Sequence, residues 1–545
     1  MREGWDYVVI GAGSSGCVMA ERLSSDPSKR VLLLEAGGPD TSPLIHMPKG
    51  IGKLASDPRH AWVFPVDQPR LPDLPASEAW VRGKGLGGSS SINGMIWVRG
   101  RPEDYDRWEQ RGCVGWGGSA MTAAFQAIED HELGAGDGRG VGGPVPISTG
   151  TYRYPLAEAM IAAGQSMGLP RKEDLNGGGT EGIGYYAHNI LRGRRQSAAV
   201  AFLRPARQRR NLEIRTQVLV DRIVFEDGRA VAVEAQVRGQ PQRFAVRGEV
   251  ILSAGAMASP AILQRSGVGP GELLTRLGIP LVAGRPGVGR HLQDHLGFSM
   301  TYRLQGSAGN NREFRGLGLV KNSLRYALSR SGPLATGPFE VGGFVRLDPA
   351  GDRPDLQLFG SAFTFQPKRN SNPNFPVQQG TVEREPGFTV YSQLLHLDSE
   401  GSLNISARDP QAPLSIAPNW LTSKADQQAA IAAVRYVREL MAQPAIAGFI
   451  SHEKFPGSAV DSDAEVLDTF RRLSRCGTHA VGTCRMGGSE EDVCDPQLRV
   501  RGVTGVRVVD CSVMPELVSG NTNAPAMALA WHAADLIIKE QRQCA

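Results

Sequence analysis

The sequence has little of what would mark a special class of protein. Its seven cysteines among 545 residues are odd in number and irregular in spacing, which excludes a disulfide scaffold. Charge of one sign is scarce: 60 Lys+Arg against 55 Asp+Glu leaves +5, too little to argue for a nucleic-acid partner. No run reaches ~18 uninterrupted apolar residues, so no segment reads as spanning a bilayer. The opening Met1-Arg2-Glu3-Gly4-Trp5-Asp6 has no apolar h-region with a cleavage site, and no signal peptide is expected. The expected setting is a reducing cytoplasm with free thiols, with room for a peripheral association at the inner membrane face. The 67 glycines follow no three-residue period, which excludes collagen. With 41% hydrophobic and 21% charged residues, the composition excludes a wholly disordered chain. At ~150 residues per domain, the length allows roughly two to four domains.

What is present begins at the N-terminus. Residues 6–10 form a short apolar strand. Gly11-Ala12-Gly13-Ser14-Ser15-Gly16 follows, then a helix read from Cys17, then a second apolar strand at 31–34 ending on Glu35. This is a βαβ opening. Residues 37–80 are rich in proline and read as an excursion. Strands are expected at 212–214, 218–225, 230–237 and 250–252, with Asp227-Gly228 as a hairpin turn. Residues 300–420 mix strands and loops without a repeat. An amphipathic helix is expected over 427–441, a strand over 506–509 and a helix over roughly 525–540.

Gly11-x-Gly13-x-x-Gly16 is a weak signal alone, but its context is right: a strand precedes it, a helix opens on it, and an acid lies nineteen residues after Gly16. The first glycine permits the tight turn, the second lets backbone approach a pyrophosphate, and the third lets helix and strand pack closely. The helix N-terminus, with Ser14 and Ser15, presents N–H groups and a positive dipole end to phosphates. Glu35 would accept hydrogen bonds from an adenosine ribose. NAD and FAD share this turn. Two further elements favour the longer FAD: an apolar strand running into Ser253, Ala254 and Gly255, and a strand ending on Asp510, whose carboxylate suits ribityl hydroxyls.

With these residues in view, the chain resembles the glucose–methanol–choline (GMC) oxidoreductases over nearly its whole length. Gly83-Lys84-Gly85-Leu86-Gly87-Gly88-Ser89-Ser90-Ser91-Ile92-Asn93-Gly94 is similar to the first family signature. The segment from Gly255-Ala256-Met257-Ala258-Ser259-Pro260 to Ser266-Gly267-Val268-Gly269 is similar to the second. Gly287-Val288-Gly289-Arg290-His291-Leu292-Gln293-Asp294-His295 resembles a third recurrent segment, and His479-Ala480-Val481-Gly482-Thr483-Cys484-Arg485-Met486-Gly487 resembles the active-site segment. Pro43-Leu44-Ile45-His46-Met47-Pro48 looks most like bacterial membrane-associated alcohol and choline dehydrogenases. The chain departs from its relatives at Leu397-Asp398-Ser399-Glu400-Gly401, where Pro-x-Ser-Arg-Gly is usual.

The resemblance implies an α/β fold: a Rossmann-like FAD-binding domain with a discontinuous α+β substrate domain. The expected division is 1–299 for the FAD domain, with part of 151–190 joining the substrate domain, 300–465 for the substrate domain, and 466–545 completing the FAD domain and active site. FAD contacts are implied at Ala36, Gly87, Ser91, Asn93 and Gly94, and also at Val218, Ala254, Thr522 and Asn523. Some relatives attach FAD through a histidine at the position of Ile92. Isoleucine cannot form that bond, so the FAD is expected to be non-covalent.

Oxidising an alcohol requires the hydroxyl proton to leave and a hydride to reach flavin N5. A histidine suits the first task because its pKa lies near working pH. His479, beside a glycine turn, is the base by resemblance. The family's second residue, His or Asn near the start of the last helix, falls at Asn521, fourteen positions before Asp535. It would steady the developing alkoxide. Asn521 and Asn523 are also good helix caps ahead of Pro525, and Asn523 is the alternative for the catalytic place. His532 lies eleven residues beyond Asn521, mostly helix, and is too far along.

Other signals are set aside. Cys476, His479, Cys484 and Cys494 lack paired metal-ligand spacing, so no metal is expected. The arginine run Arg192, Arg194, Arg195, Arg204, Arg207, Arg209 and Arg210 could touch an anionic surface, and a solvated or salt-bridged face is the preferred reading. Asp294 and His295 read as holding a loop. Phe359, Phe363 and Phe365 fit a pocket or a core equally. The expected reaction is oxidation of a primary alcohol to an aldehyde, whose hydrate offers a second oxidation, with oxygen or a quinone-type carrier as acceptor. Competing readings are an oxidase that makes hydrogen peroxide and a lyase in which the flavin is structural.

Overall fold

A computed structural model describes residues 4–66, 78–150, 152–306, 308–367 and 380–544. Residues 67–77 of the proline-rich excursion, and 368–379 of the mixed middle region, lie outside the described residues.

The apolar runs at 7–10 and 31–34 are buried on both faces, as strands inside a parallel sheet must be. Trp5–Ile10 pairs in parallel with Val31–Leu34 on one side and Gln240–Leu252 on the other. Leu212–Arg215 adds one edge, and Val506–Val508 returns from the far end of the chain to pair in parallel with residues 250–252. The strand read at 250–252 starts ten residues earlier, at Gln240. Its first half is mostly exposed and pairs antiparallel with Arg229–Val237; its last residues, Val250–Leu252, are buried and pair in parallel on both sides. One strand thus serves two neighbourhoods. Val218–Glu226 and Arg229–Val237 form the expected hairpin. Asp227 and Gly228 sit at φ 50° and 74°, as a type I′ turn requires.

The helix Ser14–Leu23 opens three residues before Cys17, directly on Gly13. Burying its Val18, Met19 and Leu23 is worth about 1.5–3 kcal/mol each relative to leaving them exposed. The last helix, Asn523–Cys544, also starts earlier than the proline suggested. Pro525 sits in its first turn, where its missing N–H costs nothing. These two helices are tied at their starts: the Ser15 hydroxyl donates to the Ala526 carbonyl (3.1 Å), and the Ser14 hydroxyl to Asn523 Oδ1 (2.8 Å).

A second, largely antiparallel sheet runs in the order Ile450–Phe455, Leu296–Leu304, Gly387–Leu394, Leu356–Ser361, Val341–Val345, Gly182–Tyr185, Arg171–Lys172. Strand alternation splits its faces. Phe298, Met300, Leu358, Phe388 and Val390 pack with the helices Pro155–Ser166 and Lys424–Ala442. Ser299, Phe359, Ser361, Thr389, Tyr391 and Gln393 point the other way and wall a cavity. The departure at 397–401 is well held: Leu292 and Gly401 form a β-bridge, and the Glu400 carboxylate takes hydrogen bonds from Gln293 and His291.

Candidate active site

The cavity, of about 790 Å3, lies between the two sheets. It opens at the C-terminal ends of the parallel strands, where this architecture places ligands. Ile10, Leu34, Ser253 and Asp510 bring the four strand ends to its wall.

The glycines at the first strand end do separate jobs. Gly11 has φ 95°, and a Cβ there would lie 2.5 Å from the Ser253 carbonyl oxygen. A Cβ on Gly13 would meet nothing within 4 Å, because that position faces open space. Gly16 does not line the cavity. A Cβ there would lie 1.8 Å from the Gly11 carbonyl oxygen, so it serves helix–strand packing. The helix behind Gly13 carries no side-chain cap, which leaves its first N–H groups for an anion.

Glu35 is buried at the next strand end. One oxygen accepts from Ala12 N–H (2.8 Å), the other from Gly37 N–H (2.8 Å) and Gly85 N–H (3.0 Å). Burial pushes its pKa up, and these three donors oppose the shift. A carboxylate has about four lone-pair sites, so one direction stays free for a ribose hydroxyl. Asp510 also lines the cavity, yet its oxygens are largely engaged. Gly255 N–H, Ser259 Oγ and Ser512 N–H donate to it at 2.8, 2.5 and 2.8 Å. Its first task is to pin the start of the helix Gly255–Arg265 against the cavity wall.

Of the glycine- and serine-rich signature, Asn93 and Gly94 line the cavity, whereas Gly87 and Ser91 stand behind it. The Ser91 hydroxyl donates to the Leu86 carbonyl, and Gly87 has φ 89°. Asn93 Oδ1 accepts from Arg195 Nη1 (2.6 Å), a guanidinium 1% exposed that also donates to the Ser90 and Ile45 carbonyls. Asn93 is thereby oriented with its Nδ2 donor uncommitted to Arg195. Ala36, Val218, Ala254, Thr522 and Asn523 line the cavity, and so does Ile92. The fit to an extended dinucleotide is supported by two cavity-wall atoms left without a partner, Ser253 Oγ and Asn523 Nδ2.

At the other end, His479 and Asn521 meet: Nε2 of His479 and Nδ2 of Asn521 are 3.1 Å apart. Asn521 Oδ1 accepts from Gln357 Nε2 (3.1 Å), which fixes its amide nitrogen towards the imidazole. His479 Nδ1 is 2.9 Å from His295 Nδ1, and His295 Nε2 is 3.1 Å from the Val518 carbonyl. The tautomers follow from these contacts. A carbonyl only accepts, so His295 carries its hydrogen on Nε2. Its Nδ1 then accepts from His479 Nδ1–H, and His479 Nε2 keeps a lone pair aimed at Asn521 and the cavity. Burial, the neighbouring His295 and Arg82 hold His479 well below the ordinary histidine pKa. Burial alone takes His295 down to about 4.

The backbone under His479 is shaped by the residues before it. Thr478 has φ 65°, rare for a β-branched residue, and a Cβ on Gly477 would lie 2.7 Å from His295 Cβ. His479 N–H donates to Asp294 Oδ1 (2.8 Å), and Arg82 Nη2 lies 3.4 Å from the other oxygen. Under Asn521, Ser519 gives its N–H and hydroxyl to the buried Asp104 (2.7 and 2.8 Å). His295, Gln357, Asp104 and Arg195 were not singled out for these roles by the sequence. His295 carried a signal, its place in the segment with Asp294; Arg195 was counted in the arginine run read as a solvated or salt-bridged face, and its guanidinium is instead buried on main-chain carbonyls and Asn93. Phe359, Phe363 and Phe365 all line the cavity. His532 does not; it hydrogen-bonds the Gly115 carbonyl and stands edge-on to Trp116. Cys476, Cys484 and Cys494 are buried, and burial pushes their thiols up.

A glycine turn on a parallel sheet, a long cavity and a buried neutral histidine at its far end define a dinucleotide-dependent oxidoreductase. Comparison with known proteins narrows this. Profiles described as GMC oxidoreductase match residues 5–297 and 398–530. The chain is 40% identical to mitochondrial choline dehydrogenase of Homo sapiens, over 98% of this chain and 90% of that one. It is 39% identical to "Alcohol dehydrogenase [acceptor]" of Pseudomonas putida, over 98% and 96%. Its structure superposes on pyridoxine 4-oxidase from "Mesorbium loti" with a TM-score of 0.87 and 32% identity, covering 98% of this chain and 99% of that one. The chain belongs to the GMC oxidoreductase family. It is an FAD-dependent enzyme that acts on CH–OH donors.

Proposed function

We propose that the enzyme oxidises a primary alcohol to an aldehyde, with His479 as the base and Asn521 as the group that holds the substrate oxygen. The observation that carries this reading is the chain from the Val518 carbonyl through His295 to His479 and Asn521, which leaves a single lone pair facing the cavity. A hydroxyl seated beside this pair, within hydrogen-bond reach of both His479 Nε2 and Asn521 Nδ2, takes the place of their mutual contact and gives its proton to the imidazole. Asn521 Nδ2–H, held by Gln357, donates to the oxygen as negative charge develops there. The imidazolium that forms keeps its Nδ1–H on His295, which stays neutral. Phe339, Phe359 and Tyr391 pack on one another and give the cavity an apolar wall. FAD, when bound, supplies the two-electron acceptor.

The FAD is held without a covalent bond, by Gly11, Gly13, Ser14, Ser15, Glu35, Ala36, Asn93, Gly94, Val218, Ala254, Thr522 and Asn523, with Asp510, Gly16, Gly87 and Ser91 shaping the wall. Residues 1–299 and 466–545 make up the cofactor domain and 300–465 the substrate domain, to which the helix Pro155–Ser166, strands at 171–185 and the start of the strand Leu296–Leu304 contribute. The electron acceptor is a quinone-type carrier rather than oxygen, in keeping with the resemblance of residues 43–48 to bacterial membrane-associated alcohol dehydrogenases, and the enzyme works as a peripheral protein at a membrane surface.

Stopped-flow absorbance of the holoenzyme, mixed anaerobically with a panel of primary alcohols, tests the chemistry. Bleaching of the flavin band is expected, followed by fast recovery with a soluble quinone and slow recovery with oxygen. No bleaching by any alcohol would sink the reading; fast recovery with oxygen and peroxide would make it an oxidase.

A further inference from the structure

The helix Gly316–Ser329 is inside out. Asn322 faces the body, 2% exposed, with its Nδ2 on the Glu313 carboxylate (2.6 Å). Tyr326, one turn on, donates its hydroxyl to the Gly193 carbonyl (3.0 Å). The opposite side carries Leu317, Val320, Leu324 and Leu328, which are 88%, 56%, 59% and 87% exposed. Spacings of three, four and four residues put them on one stripe. Among the described residues, eleven large hydrophobics are exposed, and five of them, with Leu319, belong to this helix. Scattered exposed leucines need no account, but a contiguous stripe does.

The stripe is framed by positive charge. Residues 311–330 contain Arg312, Arg315, Lys321, Arg325 and Arg330 against one acid, Glu313, which Asn322 already engages. Arg192 and Arg194 flank Gly193 on the hairpin that touches the helix. The helix also sits at the substrate end of the molecule. Phe314, just ahead of it, has its ring 4.7 Å from that of Phe363, which lines the cavity.

We propose that this face docks on an anionic lipid bilayer, with the helix lying in the interface plane. Leu317, Val320, Leu324 and Leu328 enter the acyl boundary, and Lys321 and Arg325 meet the headgroups. An apolar stripe edged by bases is what such an interface selects. A second copy of this chain would bring the same bases face to face, which disfavours self-association through the stripe. The inference rests on the peripheral-membrane reading above and adds the surface that makes the contact.

Co-sedimentation of the holoenzyme with vesicles tests it, using phosphatidylcholine alone and phosphatidylglycerol with phosphatidylcholine. The wild type should partition onto the anionic vesicles, less onto neutral ones, and less in high salt. The triple variant Leu317→Ser, Leu324→Ser, Leu328→Ser should lose about tenfold or more in partition. The pair Lys321→Glu, Arg325→Glu should lose the preference for anionic lipid. Both should keep their FAD content and their turnover of a short, water-soluble alcohol. If the wild type binds vesicles and the triple variant binds equally well, this surface is wrong while the membrane reading stands. If the wild type ignores both vesicles, both fall. A wild-type dimer in sedimentation velocity, broken by the triple variant, would assign the stripe to a second copy and overturn the inference.

Discussion

Nδ1 of His295 lies 2.9 Å from Nδ1 of His479, so one of the two nitrogens carries the hydrogen of that bond. The Val518 carbonyl on the far side of His295 decides which. It forces His295 to be the acceptor and His479 the donor, and so leaves the basic nitrogen of His479 facing Asn521. The tautomer of the base is set two hydrogen bonds away from it, by a main-chain oxygen in the loop that also carries Asn521.

His295 is therefore a positioning residue with a signature of its own. His295→Ala should lower kcat by ~10² or more, since the favoured tautomer of His479 is lost. His295→Gln should restore much of that loss, because a glutamine amide can donate to Val518 and accept from His479. Steady-state kcat for the two variants, at equal FAD content, makes the comparison. Equal losses would mean that His295 only fills space.

His479→Ala should remove the base and cost ~10²–10⁴ in the rate of flavin bleaching. FAD binding should persist, since the residues that frame the dinucleotide end are untouched. Rapid-scan absorbance reads both quantities in one sample.

Asn521→Asp separates charge from position. A carboxylate 3.1 Å from His479 Nε2 would favour the imidazolium and raise the pKa of the base. The acid limb of the kcat/KM profile should move to higher pH, opposite to the depression that burial imposes in the wild type. A pH–rate profile whose acid limb stayed in place would remove Asn521 from contact with the base.

What the sequence made legible divides by distance along the chain. The glycine turn, Glu35 and the residues at 93–94 and 521–523 are read within short motifs, because each motif is one local backbone shape serving one ligand group. Gly16, Gly87 and Ser91 belong to those motifs too, and no motif distinguishes a residue that touches the cavity from one that shapes the loop behind it. Gln357 and Asp104 were invisible for another reason. Each acts on the loop around Asn521 from more than a hundred residues away, through a sheet face and a helix start that only the folded chain brings together. Asp510 shows a third case. A carboxylate at a strand end was legible, but three main-chain and hydroxyl donors claim it first.

Acid should destabilise the fold through its buried histidines. Burial holds His188 and His295 each at about 4 in the folded state, against an ordinary value of 6.5. The unfolded chain therefore binds more protons between those two values, and stability falls as pH drops from about 6.5 to about 4. Each such histidine contributes about 1.4 kcal/mol per pH unit inside that window, and nothing above or below it. Buried carboxylates such as Asp294, raised to about 7, pull the other way, so the test is a difference between variants. His188 is not among the residues that line the cavity; its ring bonds the Phe339 carbonyl (3.0 Å), and its backbone pairs with Ser148. Urea unfolding of His188→Gln and wild type between pH 7.5 and 4.5 should show parallel stabilities above about pH 6.5 and a slope shallower by about 1.4 kcal/mol per pH unit below it. Identical slopes would mean that His188 is protonated, or exposed, in the folded enzyme.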